Sequence, residues 1–227
     1  MKRVADPELR SAVLRWLADK YKLTDVREPN HLSSYIYCLT KCFFDQTIQT
    51  QPTEEEMLLF AIGYGLQEVL TPPGALAPVY TESGVIYRPD IGFTPLMPEL
   101  SRLAEIKTTR KSSKNHSAEN SLPDTWIEYM QGGCWITKTR EYSLIILYLM
   151  GNYSPPFPQL YTDRIEFEQG ELDTNWLRIL QRKEVLDKAL ETGTAPTPFK
   201  YNKEWECKGC RYKLVCDTIN SKGEPSE

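Results

Sequence analysis

The sequence lacks any long apolar run. Its longest, Leu144 to Met150, falls far short of the roughly 20 residues that cross a bilayer, and mean hydropathy is -0.47. A membrane-spanning protein is excluded on that reading. The N-terminus shows no export pattern either: after Met-Lys-Arg it turns to Asp6, Glu8 and Arg10, with no apolar core before a small-residue cleavage site. A cytoplasmic location is expected. There is no internal repeat and no G-x4-G-K-[ST] phosphate loop, so any ATP-driven partner must be another chain. There are only two histidines, His31 and His116.

What is present suits one full core with a small appended lobe: 227 residues, 41% apolar, 26% charged and 11% aromatic. The net charge of -4 argues against coating nucleic acid by charge alone. Locally the balance reverses. Between Ser101 and His116 stand Arg102, Lys107, Arg110, Lys111 and Lys114 against Glu105 alone. Taken by itself this is a solvated basic loop.

Asp6-Pro7 predicts a cap and first turn for a helix over 7–21. A second helix is expected over 31–44, with Cys38 and Cys42 four apart on one face. Thr53-Glu54-Glu55-Glu56 has the form of a capping box for a helix running to about Leu70. Gly84–Phe93 and Arg102–Thr109 read as paired strands turning at Pro95 and Pro98. A helix over 123–139, weakened by Gly132 and Gly133, leads to a buried central strand at Tyr142–Met150. A strand at Asp163–Phe167 and a helix over Asp173–Thr192, stopped by Gly193 and Pro196, follow. Helices alternating with strands indicate an α/β fold.

Of the six cysteines, Cys207, Cys210 and Cys216 form C-x2-C-x5-C. In a chain without an export signal this favours metal ligation over disulfides, and the fourth ligand must come from elsewhere. Cys134 reads as a small apolar core residue. In Ala-Glu-Ile-Lys-Thr, Glu105 and Lys107 project from one side of a strand. A hairpin would bring Asp90 beside them. Two carboxylates can hold magnesium or manganese, and a neighbouring lysine can steer or activate water. E-x-K on an edge strand is more often solvated charge. Gln131 and Trp135 lie one helical turn apart, the amide able to donate and accept and the indole able to stack.

In this order the motifs resemble the RecB-type PD-(D/E)XK nucleases, and within them the CRISPR-associated Cas-four family of iron–sulphur exonucleases. Ser34-x3-Cys38 with Phe43-Phe44 is similar to the family's first-cysteine helix, with Leu39 replacing its usual proline. Asp90 matches the metal-binding aspartate, Glu105-Ile106-Lys107 the E-x-K, and Gln131-x3-Trp135 the Q-x3-Y with tryptophan for tyrosine. Cys207, Cys210 and Cys216 match the terminal triplet, preceded by Thr192-Gly193-x2-Pro196. The match runs from about 31 to 216. The family's histidine, four residues after a glycine, is Gln67 here (Gly63-x3-Gln67), and adjacent Glu68 is an alternative ligand.

The resemblance implies a restriction-endonuclease-like core, a central mixed sheet flanked by helices, over 31–198. It implies a [4Fe–4S] segment at 199–217 closed by Cys38, with zinc as the competing occupant and Cys42 as an alternative to Cys38. Residues 1–30 form an N-terminal helical extension and 218–227 a flexible tail. The implied activity is an exonuclease for single-stranded DNA ends, commonly from the 5′ end. Asp90, Glu105 and the Ile106 carbonyl bind Mn2+ or Mg2+, with Gln67 or Glu68 adding to them, while Lys107 positions or deprotonates water. Gln131 orients DNA or water, Trp135 stacks, and Arg110, Lys111 and Lys114 contact phosphates. Implied partners are helicase, recombination or CRISPR adaptation proteins, with a homo-oligomer as a further expectation. The competing reading is a non-catalytic DNA-end-binding scaffold subunit.

Overall fold

The computed structural model describes residues 5–23, 29–48, 50–75, 77–92, 103–116, 122–197 and 204–222. A three-stranded mixed sheet organises them: β3 (Ala104–Thr109) lies parallel to β4 (Glu141–Tyr148), which lies antiparallel to β5 (Gln159–Glu166). Parallel neighbours need a crossover, and helix α5 (Asp124–Thr137) supplies it. Along β4, Tyr142, Leu144, Ile146 and Tyr148 are buried and alternate with half-buried Glu141, Ser143, Ile145 and Leu147. The buried set faces α5 and the long helix α6 (Gln169–Thr192). On the other face Ala104, Ile106 and Ile91 pack with Ile145, Leu70 and Ala75, where α4 (Glu54–Leu70) ends. The fold is therefore α/β, a mixed sheet flanked by helices.

Several boundaries match local signals. Asp6 accepts from the Leu9 amide to start α1 (Pro7–Lys20), and Thr53 with Glu56 completes both halves of the capping box of α4. Gly193, at φ 65°, ends α6. Helix α1 packs on α4 through the Tyr21–Tyr64 stack and the Arg10–Glu54 ion pair, so residues expected as an extension join the domain.

Three expectations are corrected. The segment 84–93 does not pair with 102–109 as a hairpin. Instead β2 (Val85–Tyr87) pairs with β1 (Tyr80–Glu82) around Ser83-Gly84, both at positive φ as a tight hairpin turn requires. Among the described residues one isolated backbone bridge, Ile91–Ala104, joins the two regions, and Pro95, Pro98 and Arg102 lie outside them. Strand β5 begins at Gln159 rather than Asp163, because it pairs with the whole of β4 from Tyr148 onward.

The helix expected over 31–44 is two: α2 (Leu32–Ile36) and α3 (Leu39–Thr47). Arg182 of α6 donates to the carbonyl oxygens of Tyr35 and Tyr37, taking acceptors that a continuous helix would use four residues on. Cys38 becomes the N-cap of α3, and the Cys42 thiol donates to the Ser34 carbonyl.

The glycines of α5 have a tertiary reason. A Cβ on Gly133 would stand 2.6 Å from the Tyr87 ring, and one on Gly132 2.9 Å from Leu32. The helix sacrifices propensity for close approach to β2 and α2. At the C-terminal end, Arg211 pairs with Asp45 of α3 at 2.5 Å, and buried Tyr212 donates to Asp45 and packs on Phe44. These contacts dock the segment joining α7 (Glu204–Lys208) and α8 (Lys213–Lys222) on the C-terminal half of α3. Helix α8 continues to Lys222, past the expected start of the tail at 218. Among the described residues no helix is long and apolar enough to cross a membrane.

Candidate active site

Glu105 and Lys107 leave β3 on the side of α5, opposite Leu144 and Ile146 of β4. Asp90 reaches them without a full hairpin. The Ile91–Ala104 bridge brings its backbone to the open edge of β3, where the Ile106 amide donates to Asp90 Oδ2 at 2.8 Å. The N–H and C=O of one strand residue leave on the same side, so the Ile106 carbonyl looks out over that edge too. Gln67 of α4 donates its amide nitrogen to Asp90 Oδ1 at 2.8 Å. Glu68 does not join them: its carboxylate pairs with Lys20 of α1 at 3.5 Å and is 65% exposed. One residue further along α4 is 100° around the helix, and that turn carries the Glu68 side chain to Lys20 while Gln67 meets Asp90.

Glu105 is only 4% exposed. Its Oε1 is 2.5 Å from Lys107 Nζ, and its Oε2 accepts a 3.4 Å hydrogen bond from Tyr142, whose hydroxyl also meets that of Tyr87. Burial pushes the Glu105 carboxyl up to about 7, Lys107 opposing and Asp90 assisting. Burial likewise raises Asp90. Burial opposes the charge on Lys107, but the surrounding groups, Glu105 foremost with Asp90 adding, together hold the ammonium above its ordinary value. Two oxygen donors crowded out of water, with one ammonium between them, fit a hard divalent cation.

The raised carboxyls have a consequence for the metal-free protein. Glu105 ordinarily titrates near 4.5 and here near 7, so between those values the folded chain holds a proton that the unfolded chain has lost. Stability must then fall as pH rises through that window. Denaturant midpoints should decline from about pH 5 to about pH 8, and excess Mn2+ should restore more at the upper pH. A midpoint flat across that range, with and without Mn2+, would exclude the coupling.

Aromatic side chains surround Lys107. Its Nζ lies 5.9 Å from the Trp126 ring centre and 5.5 Å from that of Tyr129, whose hydroxyl donates to the Arg88 carbonyl. Sequence reasoning missed Trp126, Tyr129, Tyr142 and Tyr87. The spacing of Trp126 and Tyr129 on one face of the helix after E-x-K was the available signal.

The same helix turns the expected pair away. Gln131 is five residues beyond Trp126 and two beyond Tyr129, about 140° and 200° around α5. It lies on the side of Trp135, not of Lys107. Trp135 is also corrected as a stacking platform: one face lies on Trp176 at 4.4 Å, the other is covered by Lys138 Nζ at 3.7 Å, and its Nε1 donates to Asp173. Cys134 is buried in the core, as expected.

Arg110, Lys111 and Lys114 are exposed just beyond β3. Their loop is pinned to the β4–β5 connection, Ser113 donating to the Gly151 carbonyl and to Gln159, and Tyr153 to the Arg110 carbonyl. His116 anchors its far end on Asp163 and Tyr148, and His31 caps α2, so neither histidine joins the carboxylates.

At the other end of the domain, burial raises the Cys210 thiol, and Cys38 and Cys207 add to the effect. Cys216 is pushed up to about 11 by burial and then by Cys210, Cys38 and Cys207. Among the described residues, however, no group of three or more histidine, cysteine or acidic side chains stands in metal-holding geometry.

No protein-family model and no curated protein matches the chain. Among solved structures, SSO0001 is similar over 92% of this chain and 95% of that one, with a TM-score of 0.54 and 15% identity. An alkaline exonuclease (LHK-Exo) from Laribacter hongkongensis is similar over 78% of this chain and 94% of its own, with a TM-score of 0.42 and 15% identity. A phage related exonuclease from Haemophilus somnus 129PT follows over 71% and 83%, at 0.46 and 11%. In fold, then, this chain is similar to SSO0001 along nearly the whole of both chains.

Proposed function

We propose that this chain is a metal-dependent deoxyribonuclease of the PD-(D/E)XK type that degrades single-stranded DNA from its ends, commonly the 5′ end. One observation carries the reading: Asp90 meets the Glu105–Lys107 pair of β3, from a separate stretch of sequence, with Ile106 and Gln67 holding the Asp90 carboxylate. A solvated edge strand would leave those charges in water, whereas Glu105 is buried.

Asp90, Glu105 and the Ile106 carbonyl would hold Mn2+ or Mg2+, which supplies Lewis acidity toward the scissile phosphate and the attacking water. Lys107 is an ammonium that the Glu105 ion pair keeps at the site, so it positions phosphate or water as a cation. Gln67 orients Asp90 through its amide nitrogen, a role distinct from ligation. Arg110, Lys111 and Lys114 meet the phosphates of the strand, a contact that fixes position without reading sequence.

We further propose that Cys38, Cys207, Cys210 and Cys216 hold a [4Fe–4S] cluster, with zinc as the competing occupant. The Arg211 and Tyr212 docking that brings the C-terminal triplet to α3 supports this. Cys42, engaged with Ser34, is the weaker fourth ligand. Helicase, recombination or adaptation proteins remain the class of partner that would supply unwound ends.

The wild-type chain should release nucleotides from single-stranded oligonucleotides in Mn2+ or Mg2+ and not in EDTA, followed with label at either end. Binding of DNA ends without cleavage in either metal would favour the scaffold reading.

A further inference from the structure

If the chain is a nuclease at Asp90, Glu105 and Lys107, something beside them must hold the base next to the phosphate being cut. Two aromatic rings border Lys107. Tyr129 is buried and its hydroxyl is tied to the Arg88 carbonyl, so its ring belongs to the core. Trp126, in the first turn of α5, is half-buried, with its ring centre 5.9 Å from Lys107 Nζ. The Lys107 ammonium is committed to Glu105 at 2.5 Å, and 5.9 Å is the outer edge of a cation–π contact. The indole is therefore a neighbour of that cation and not its partner.

The other tryptophans with described side chains do not compete. Trp135 is covered on both faces, Trp176 is 4% exposed, and Trp16 sits on α1, which packs on α4 away from α5.

We propose that Trp126 is the stacking subsite for the unpaired base adjoining the scissile phosphate, and that it selects single-stranded over paired ends. Every base has a π-face, so stacking tolerates any sequence. It requires that face to be free, which base stacking inside a duplex denies. The subsite therefore accepts any unpaired base and rejects a paired one, a selection that phosphate contacts cannot make.

The test is binding of a labelled oligothymidylate in Ca2+, which permits binding without turnover, to the wild type, Trp126→Ala and Trp126→Phe, with cleavage then read in Mn2+. Trp126→Ala should weaken single-strand binding by about 5- to 100-fold, the range for loss of one base–aromatic stack. Trp126→Phe should stay within a few-fold, and blunt duplex binding and Mn2+ affinity should not change. An abasic site moved along the oligonucleotide should reproduce the loss at one position on the wild type and add nothing further on Trp126→Ala. Equal abasic penalties on the wild type and Trp126→Ala, or a flat abasic scan on the wild type, overturn the subsite. The flat scan needs no variant, so a folding defect in Trp126→Ala leaves the test decisive. A wild type that cuts while Trp126→Ala binds and cuts equally well overturns this inference alone. A wild type that neither binds nor cuts overturns the nuclease reading along with it.

Discussion

Asp90→Ala and Lys107→Met should each remove metal-dependent degradation of single-stranded DNA, by about 10³-fold or more, while leaving the fold intact. The magnitude follows from losing several kcal/mol of metal-assisted stabilisation, at 1.36 kcal/mol per tenfold in rate. The two variants should differ in a second measurement. Asp90→Ala takes away a carboxylate that Ile106 and Gln67 hold in place, so Mn2+ affinity should collapse with activity. Lys107→Met keeps the packing against Trp126 and Tyr129 but leaves Glu105 without its ammonium. Glu105 should then bind Mn2+ at least as well while catalysis is lost. DNA binding in Ca2+ should persist in Lys107→Met, because Arg110, Lys111 and Lys114 lie outside the substituted site. Full activity in both variants would show that the hydrolysis belongs to another protein or another site.

The second large effect is expected at the cysteines. Protein purified without oxygen should carry iron close to four atoms per chain, the count for a four-thiolate cubane. Cys207→Ala or Cys210→Ala should abolish the iron and sharply reduce soluble yield. Structural metals in small zinc sites contribute about 10–16 kcal/mol, and a domain's whole stability is about 5–15 kcal/mol. The protein contacts of the C-terminal segment, Arg211 with Asp45 and Tyr212 with Phe44, resist that loss. Folded, colourless protein holding only zinc would replace the cluster with the competing metal. Iron retained in Cys38→Ala and lost in Cys42→Ala would exchange the fourth ligand.

Parts of this fold are written in short stretches of sequence because contacts between near neighbours produce them. Asp6 and Pro7 start α1, Thr53 and Glu56 close the cap of α4, and Gly193 stops α6, each through bonds spanning three or four residues. Glu105 and Lys107 share a face because strand side chains alternate, whatever the strand packs against. Tertiary structure decided the rest. Arg182, far along the chain, breaks α2 from α3 by taking the Tyr35 and Tyr37 carbonyls. The parallel pairing of β3 with β4 puts Tyr142 beside Glu105, and the approach of α5 to Tyr87 at Gly133 sets which face of that helix meets Lys107. Gln131 and Trp135 share a face in sequence, but α5 is rotated so that Trp126 and Tyr129 border the carboxylates. A periodicity defines which residues lie together on a helix; only the packing of that helix decides which set meets the site.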